Sequence, residues 1–119
     1  MKKILLIEDD PLLIDIYRTK LESAGFTVSI VSDGDKALEA VVSETPDAVL
    51  LDIVLPKVDG WDILKGIKDK DKKIKVVVLS NLGQKEEVEK GFALGAEKYL
   101  IKANFTPSDV VAEIEKLFI

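Results

Sequence analysis

Short runs of Val, Ile and Leu alternate along this chain with longer segments of helical period, and few folds accommodate that rhythm. The runs are Ile4–Ile7, Phe26–Val31, Ala48–Leu51, Val76–Leu79 and Tyr99–Ile101. Three of them are almost continuously apolar, as strands are when both faces of a parallel sheet are covered by helices. Thr27 and Ser29 mark the second run as an edge strand.

Between the runs lie candidate helices. In Pro11–Ala24 the stripe is Leu13, Ile16, Tyr17, Leu21 and Ala24, with Asp10 placed to cap, Pro11 in the first turn and Gly25 at the end. A second helix is predicted from near Gly34 to Ser43, with Leu38, Val41 and Val42 inward and Pro46 closing it off. A third starts at Asp59-Gly60 and carries Ile63, Leu64 and Ile67. The fourth, Gln84–Leu94, is weakly apolar (Val88, Phe92) and ends at Gly95. The fifth opens on the cap pattern Thr106-Pro107-Ser108-Asp109 and buries Val110, Ile114, Leu117 and Phe118. The expected fold is α/β, a (βα)5 unit over residues 1–119, doubly wound by right-handed crossovers into a flavodoxin-like sandwich.

Composition removes whole classes of chemistry. There is no cysteine and no histidine, so thiol chemistry, the usual general base and a phosphohistidine on this chain are excluded. The net charge of −5 disfavours direct binding of nucleic acid. Met1-Lys2-Lys3 precedes an apolar run too short for a signal peptide, and Glu8-Asp9-Asp10 follows at once. No segment approaches a membrane span. A cytoplasmic location is expected.

What ends each strand is informative. The first run ends in Glu8-Asp9-Asp10, the third in Asp52, the fourth in Ser80-Asn81 and the fifth in Lys102. Parallel strands bring these ends to one edge. Two carboxylates ~4 Å apart repel by roughly 1 kcal/mol in water and ~4 kcal/mol at an effective dielectric of 20. Such a cluster calls for a cation, and hard oxygen ligands with room for water suit Mg²⁺. Asp10, next to Pro11, reads as a helix cap. The remaining set supports phosphoryl transfer, with an Asp nucleophile and surrounding groups that neutralise the equatorial oxygens.

These residues sit in Ile-Leu-Leu-Ile-Glu-Asp-Asp-Pro-Leu-Leu, Leu-Asp-Ile-Val-Leu-Pro-Lys-Val-Asp-Gly-Trp, Val-Val-Val-Leu-Ser, Ala-Leu-Gly-Ala-Glu-Lys-Tyr-Leu and Ile-Lys. In this order the chain resembles the receiver domain of two-component response regulators, of the stand-alone chemotaxis type. The strand order 2-1-3-4-5 is the order this resemblance implies. It also implies that Asp52 is phosphorylated by a sensor histidine kinase or histidine phosphotransfer protein. Asp9 becomes the direct Mg²⁺ ligand, Glu8 a ligand through water, and Val54 a ligand through its backbone carbonyl. Ser80 becomes the switch hydroxyl, Tyr99 the aromatic that follows it, and Lys102 the partner of the phosphoryl group. The family acts as a signalling module rather than an enzyme on outside substrates. Because Ile119 directly follows the fifth helix, the expected output is docking to a downstream protein by a monomer, or dimerisation on activation.

The chain departs from the family pattern at several places. The usual Pro and Phe after the lysine are replaced by Ala103-Asn104-Phe105, so a reshaped loop is expected. Asn81 stands where a small residue is common. Val54 and Leu82 occupy positions where polar side chains orient attacking water, which implies slow self-dephosphorylation. A phosphatase of the haloacid-dehalogenase class would need an acid at Val54. A flavin carrier would need a hydroxyl-rich loop where Glu8-Asp9-Asp10 stands. A docking module without phosphorylation is the remaining alternative, kept open by the altered loop.

Overall fold

In the computed structural model, which describes residues 2–119, five strands form one parallel sheet in the order β2-β1-β3-β4-β5. The strands are β1 (Lys3–Ile7), β2 (Thr27–Val31), β3 (Ala48–Leu51), β4 (Lys75–Ser80) and β5 (Lys98–Ile101). The helices are α1 (Pro11–Ser23), α2 (Ala37–Glu44), α3 (Gly60–Lys70), α4 (Lys85–Ala93) and α5 (Pro107–Glu115). The α/β class and the strand order expected from the sequence are both found.

Side chains of successive strand residues point to opposite faces, so the apolar runs feed two cores. Leu5, Ile7, Val49, Leu51, Val76 and Val78 pack with Val41, Ile63, Leu64 and Ile67 of α2 and α3. Ile4, Leu6, Leu50, Val77 and Leu79 pack with Tyr17 and Leu21 of α1 and with Val110, Val111 and Ile114 of α5. Burying each such side chain contributes about 1.5–3 kcal/mol. β2 is an edge strand, as its Thr27 and Ser29 indicated, and β5 is the other edge.

The helix ends follow local chemistry. Asp10 Oδ1 accepts from the amides of Leu12 and Leu13 at 2.9 and 3.4 Å, and Gly25, at φ 98°, turns the chain out of α1. Thr106 and Asp109 cap each other reciprocally at the start of α5.

Several inward assignments are corrected. Val42 is 60% exposed, because the buried residues of α2 are Ala37 and Val41, and Val42 lies a further 100° round the helix. A 3-10 turn, Gly34–Lys36, precedes α2 instead of a continuous helix. Ala24 is exposed, because it caps α1 from beyond its last turn. Phe92 is 49% exposed, and Gly91 is the buried residue of α4. Leu117 and Phe118 lie half-buried in a 3-10 turn after α5, with Phe118 against Phe26 at 6.1 Å.

Between β5 and α5, Glu113 accepts from Lys98 and Lys116, both at 2.8 Å. The bonds from Lys116 and Lys98 hold its carboxyl down at about 2. A carboxylate held low stabilises the fold above its unfolded value of 4.5 and loses that contribution as pH falls towards 2. Glu113→Gln is therefore expected to lower the Tm at pH 7, with the gap from wild type closing on acidification below about 4.5. A gap independent of pH in thermal unfolding would contradict the ion-pair assignment.

Candidate functional site

Register brings the polar strand ends together. Ile7 pairs with Leu51 across β1 and β3, so Glu8 and Asp52 leave the sheet side by side. Ser80 pairs with Ile101 across β4 and β5, which puts Lys102 at the same edge. Glu8 and Asp52 are 2% and 7% exposed; Asp9 is exposed.

The buried carboxylates share one cation. Lys102 Nζ donates to Glu8 Oε1 at 2.9 Å and to Asp52 Oδ2 at 2.8 Å. The other oxygens take backbone donors. Glu8 Oε2 accepts from the amides of Asp9 and Asp10 at 3.1 and 3.2 Å. Asp52 Oδ1 accepts from the amide of Val54 at 3.0 Å. Burial pushes the Glu8 carboxyl above its ordinary value, further than its bonds to Lys102 and Asp10 pull it back. Burial acts to lower the Lys102 ammonium, but its hydrogen bonds to Asp52 and Glu8 outweigh it and raise the pKa.

Carboxylate oxygens of Glu8, Asp9 and Asp52 all lie within 4.8 Å of one another. With Lys102 beside them, three carboxylates and one ammonium leave two negative charges, the complement of one divalent ion. The donors are all oxygen, which fits Mg²⁺ rather than a softer metal. Leu13, Val54 and Asn81 complete the wall of a cleft of about 330 Å³. Asp10 reaches the rim, but its side chain is committed to α1.

Ser80 is fully buried, and its Oγ accepts from the Leu82 amide at 3.3 Å. Asn81, not Ser80, lines the cleft. The Tyr99 hydroxyl donates to the carbonyl of the same Leu82. Burial lifts the Tyr99 phenol above its usual value, with the charges of Glu87 and Asp52 adding to the effect. Leu82 thus joins Ser80 and Tyr99 through the two sides of its backbone, a link that no side-chain motif announces. Trp61 is half-buried and packs on the core.

Lys102 opens a 3-10 turn, Lys102–Asn104. This is the reshaped loop expected from Ala103 and Asn104, and no cis peptide occurs among the described residues. Sequence reasoning missed the Glu8–Lys102 pair, although opposite charges ending two strands were its signal. It also missed the close approach at Gly60, where a Cβ would lie 2.3 Å from the Ile53 carbonyl oxygen. Only glycine lets α3 start against the loop that follows Asp52.

Comparison with known proteins agrees with this geometry. Residues 4–115 match the response regulator receiver domain model. The transcriptional regulatory protein QseB of Escherichia coli O157:H7 is 41% identical over 115 residues, covering 97% of this chain and 52% of QseB. The DNA-binding regulator RpaA of a Synechocystis species is 36% identical over 119 residues, covering 98% of this chain and 49% of RpaA. The structure of the BeF3-activated DrrB receiver domain superposes with a TM-score of 0.89 at 30% identity, covering 99% of this chain and 97% of that one. The chain belongs to the response regulator receiver domain family. It spans about half the length of the curated relatives it matches.

Removing the shared cation isolates two buried carboxylates, which costs about 3–5 kcal/mol for a pair of this kind. Lys102→Met is expected to lose stability on that scale at pH 7.5. It should recover part of the loss by pH 5, because a carboxyl with a raised pKa binds its proton more tightly in the folded state than in the unfolded one. Urea unfolding at the two pH values measures both effects. A loss that stays constant with pH would show that Glu8 does not carry it.

Proposed function

We propose that this chain is one receiver domain in a phosphorelay, with Asp52 taking a phosphoryl group from the phosphohistidine of a sensor histidine kinase or histidine phosphotransfer protein. The observation that carries this is the Lys102 ammonium set 2.8 Å from Asp52 and 2.9 Å from Glu8, with the Asp9 carboxylate alongside. In the transfer, an Asp52 carboxylate oxygen forms a bond to phosphorus as the phosphorus–nitrogen bond to the donor histidine breaks. Lys102 remains beside the acceptor and neutralises a phosphoryl oxygen. The Val54 amide holds Asp52 Oδ1, leaving the carboxylate little freedom to turn away. Mg²⁺ bound by Asp9, Asp52 and the Val54 carbonyl, with Glu8 reached through water, would supply positive charge against the phosphoryl oxygens.

The signal leaves by way of Ser80. Its hydroxyl moves towards the phosphoryl oxygen, the β4–α4 backbone follows, and Tyr99 registers the change through Leu82. This is a shift between two populations. α4 buries only Gly91, which suits an element that moves. The domain acts as a signalling module rather than an enzyme on outside substrates. Its output is contact with a downstream protein, as a monomer or as a dimer formed on activation. The net charge of −5 argues against direct nucleic-acid contact by these residues. No helix among the described residues is long and apolar enough to cross a membrane, and a cytoplasmic site of action fits that. A docking role without phosphorylation loses its main support, because Lys102 reaches both carboxylates despite the altered loop.

Incubation with acetyl phosphate and Mg²⁺ is expected to add one phosphoryl group by mass, and Asp52→Asn to abolish the gain. Mg²⁺ should raise the Tm of the wild type and much less that of Asp9→Ala. With Val54 and Leu82 apolar, the purified phosphoprotein should persist well beyond seconds. Mass gain in Asp52→Asn, or equal Tm shifts in wild type and Asp9→Ala, would refute the assignment.

A further inference from the structure

We infer that Gly91 and Trp61 form a slot that holds the Tyr99 ring inward, so that the side-chain volume at position 91 decides where the tyrosine points. The inference rests on the phosphoryl-acceptor reading only for the signalling role of Tyr99.

Gly91 lies inside α4 and is buried. Glycine within a helix is disfavoured against alanine by its backbone entropy, so a buried one needs a reason in packing. A Cβ built there would stand 2.6 Å from Tyr99 Cδ2 and 3.0 Å from Cε2, and 3.7 Å from Trp61 Cζ3. The first distance is well inside van der Waals contact, and an aromatic ring has no flexible tip that could yield.

The neighbouring wall is Trp61, in the first turn of α3. Its ring centroid is 6.5 Å from that of Tyr99, with the planes 25° apart, an offset-stacked arrangement. Lys90 Nζ lies 4.8 Å from the Trp61 ring centroid, a cation–π contact. Adjacent residues of α4 therefore approach both rings of the stack, Gly91 by having no side chain and Lys90 by its charge. At the far end of the slot, the Tyr99 hydroxyl meets the Leu82 carbonyl. A methyl group at position 91 must expel the ring from this place, which separates it from both Trp61 and Leu82.

The test is Gly91→Ala, alone and combined with Tyr99→Ala. In the wild type, NMR should show nuclear Overhauser contacts between the Tyr99 and Trp61 rings. In Gly91→Ala these are expected to vanish and the Tm to fall. In the Tyr99→Ala background the same substitution should instead raise the Tm, because the ordinary helical preference for alanine is then unopposed. If the single variant does not fold, folding of the double variant supports the slot, and failure of both overturns it. Intact ring contacts in Gly91→Ala, or an equal drop in Tm in both backgrounds, also overturns it. Gly91→Ala should still be labelled by acetyl phosphate, since Asp52 and Lys102 are untouched. Absence of labelling in the wild type would defeat the phosphoryl-acceptor reading and leave the slot to be judged by its ring contacts and Tm.

Discussion

A single ammonium group between two buried carboxylates organises this molecule. Lys102 directly follows the last strand, Glu8 the first and Asp52 the central one, and the lysine is 94 residues from Glu8 and 50 from Asp52 in sequence. Desolvating two carboxylates side by side is tolerable only because that cation lies between them and because backbone amides take the remaining oxygens. The doubly wound sheet serves this arrangement by delivering every strand end to one edge, and the two apolar cores hold that edge rigid.

The charge balance also suits phosphoryl chemistry. Lys102 offsets one of the three negative charges on Glu8, Asp9 and Asp52 and leaves room for a divalent cation. Asp9, exposed, is the carboxylate with the freest access to an incoming ion, while Glu8 is fixed by Lys102 and two amides. A phosphoryl group arriving at Asp52 would meet a cation already in place rather than one recruited from solvent. Beyond the cleft, Ser80 and Tyr99 both bond to Leu82, so movement of the β4–α4 backbone cannot leave either of them unaffected.

Much of this was legible in the residues, and what was not has physical causes. Five strands and five helices showed themselves because the periods of 2 and 3.6 are local properties of the chain. Glu8, Asp9, Asp52, Ser80 and Lys102 could be picked out because each terminates an apolar run. Asp10 betrayed its capping role through Pro11. By contrast, Val42 and Phe92 turned out exposed because a short helix buries only the side that its neighbours cover. The Glu8–Lys102 pair, the double use of Leu82 and the purpose of Gly91 depend on approaches between distant elements, which no spacing in the sequence encodes. The turn Lys102–Asn104 falls between these cases: the missing Pro was visible, but not that a 3-10 turn would still bring Lys102 into the cleft.

The central claim is that Asp9, Asp52 and Lys102 together make one site for a divalent cation and a phosphoryl group. A crystal structure of the protein with Mg²⁺ and beryllofluoride tests it most directly. Mg²⁺ should be found about 2.0–2.1 Å from carboxylate oxygens of Asp9 and Asp52 and from the Val54 carbonyl, with the beryllofluoride on Asp52 and Lys102 on one of its fluorines. An ion bound elsewhere, or Asp52 left unmodified with Lys102 still bridging it to Glu8, would contradict the account.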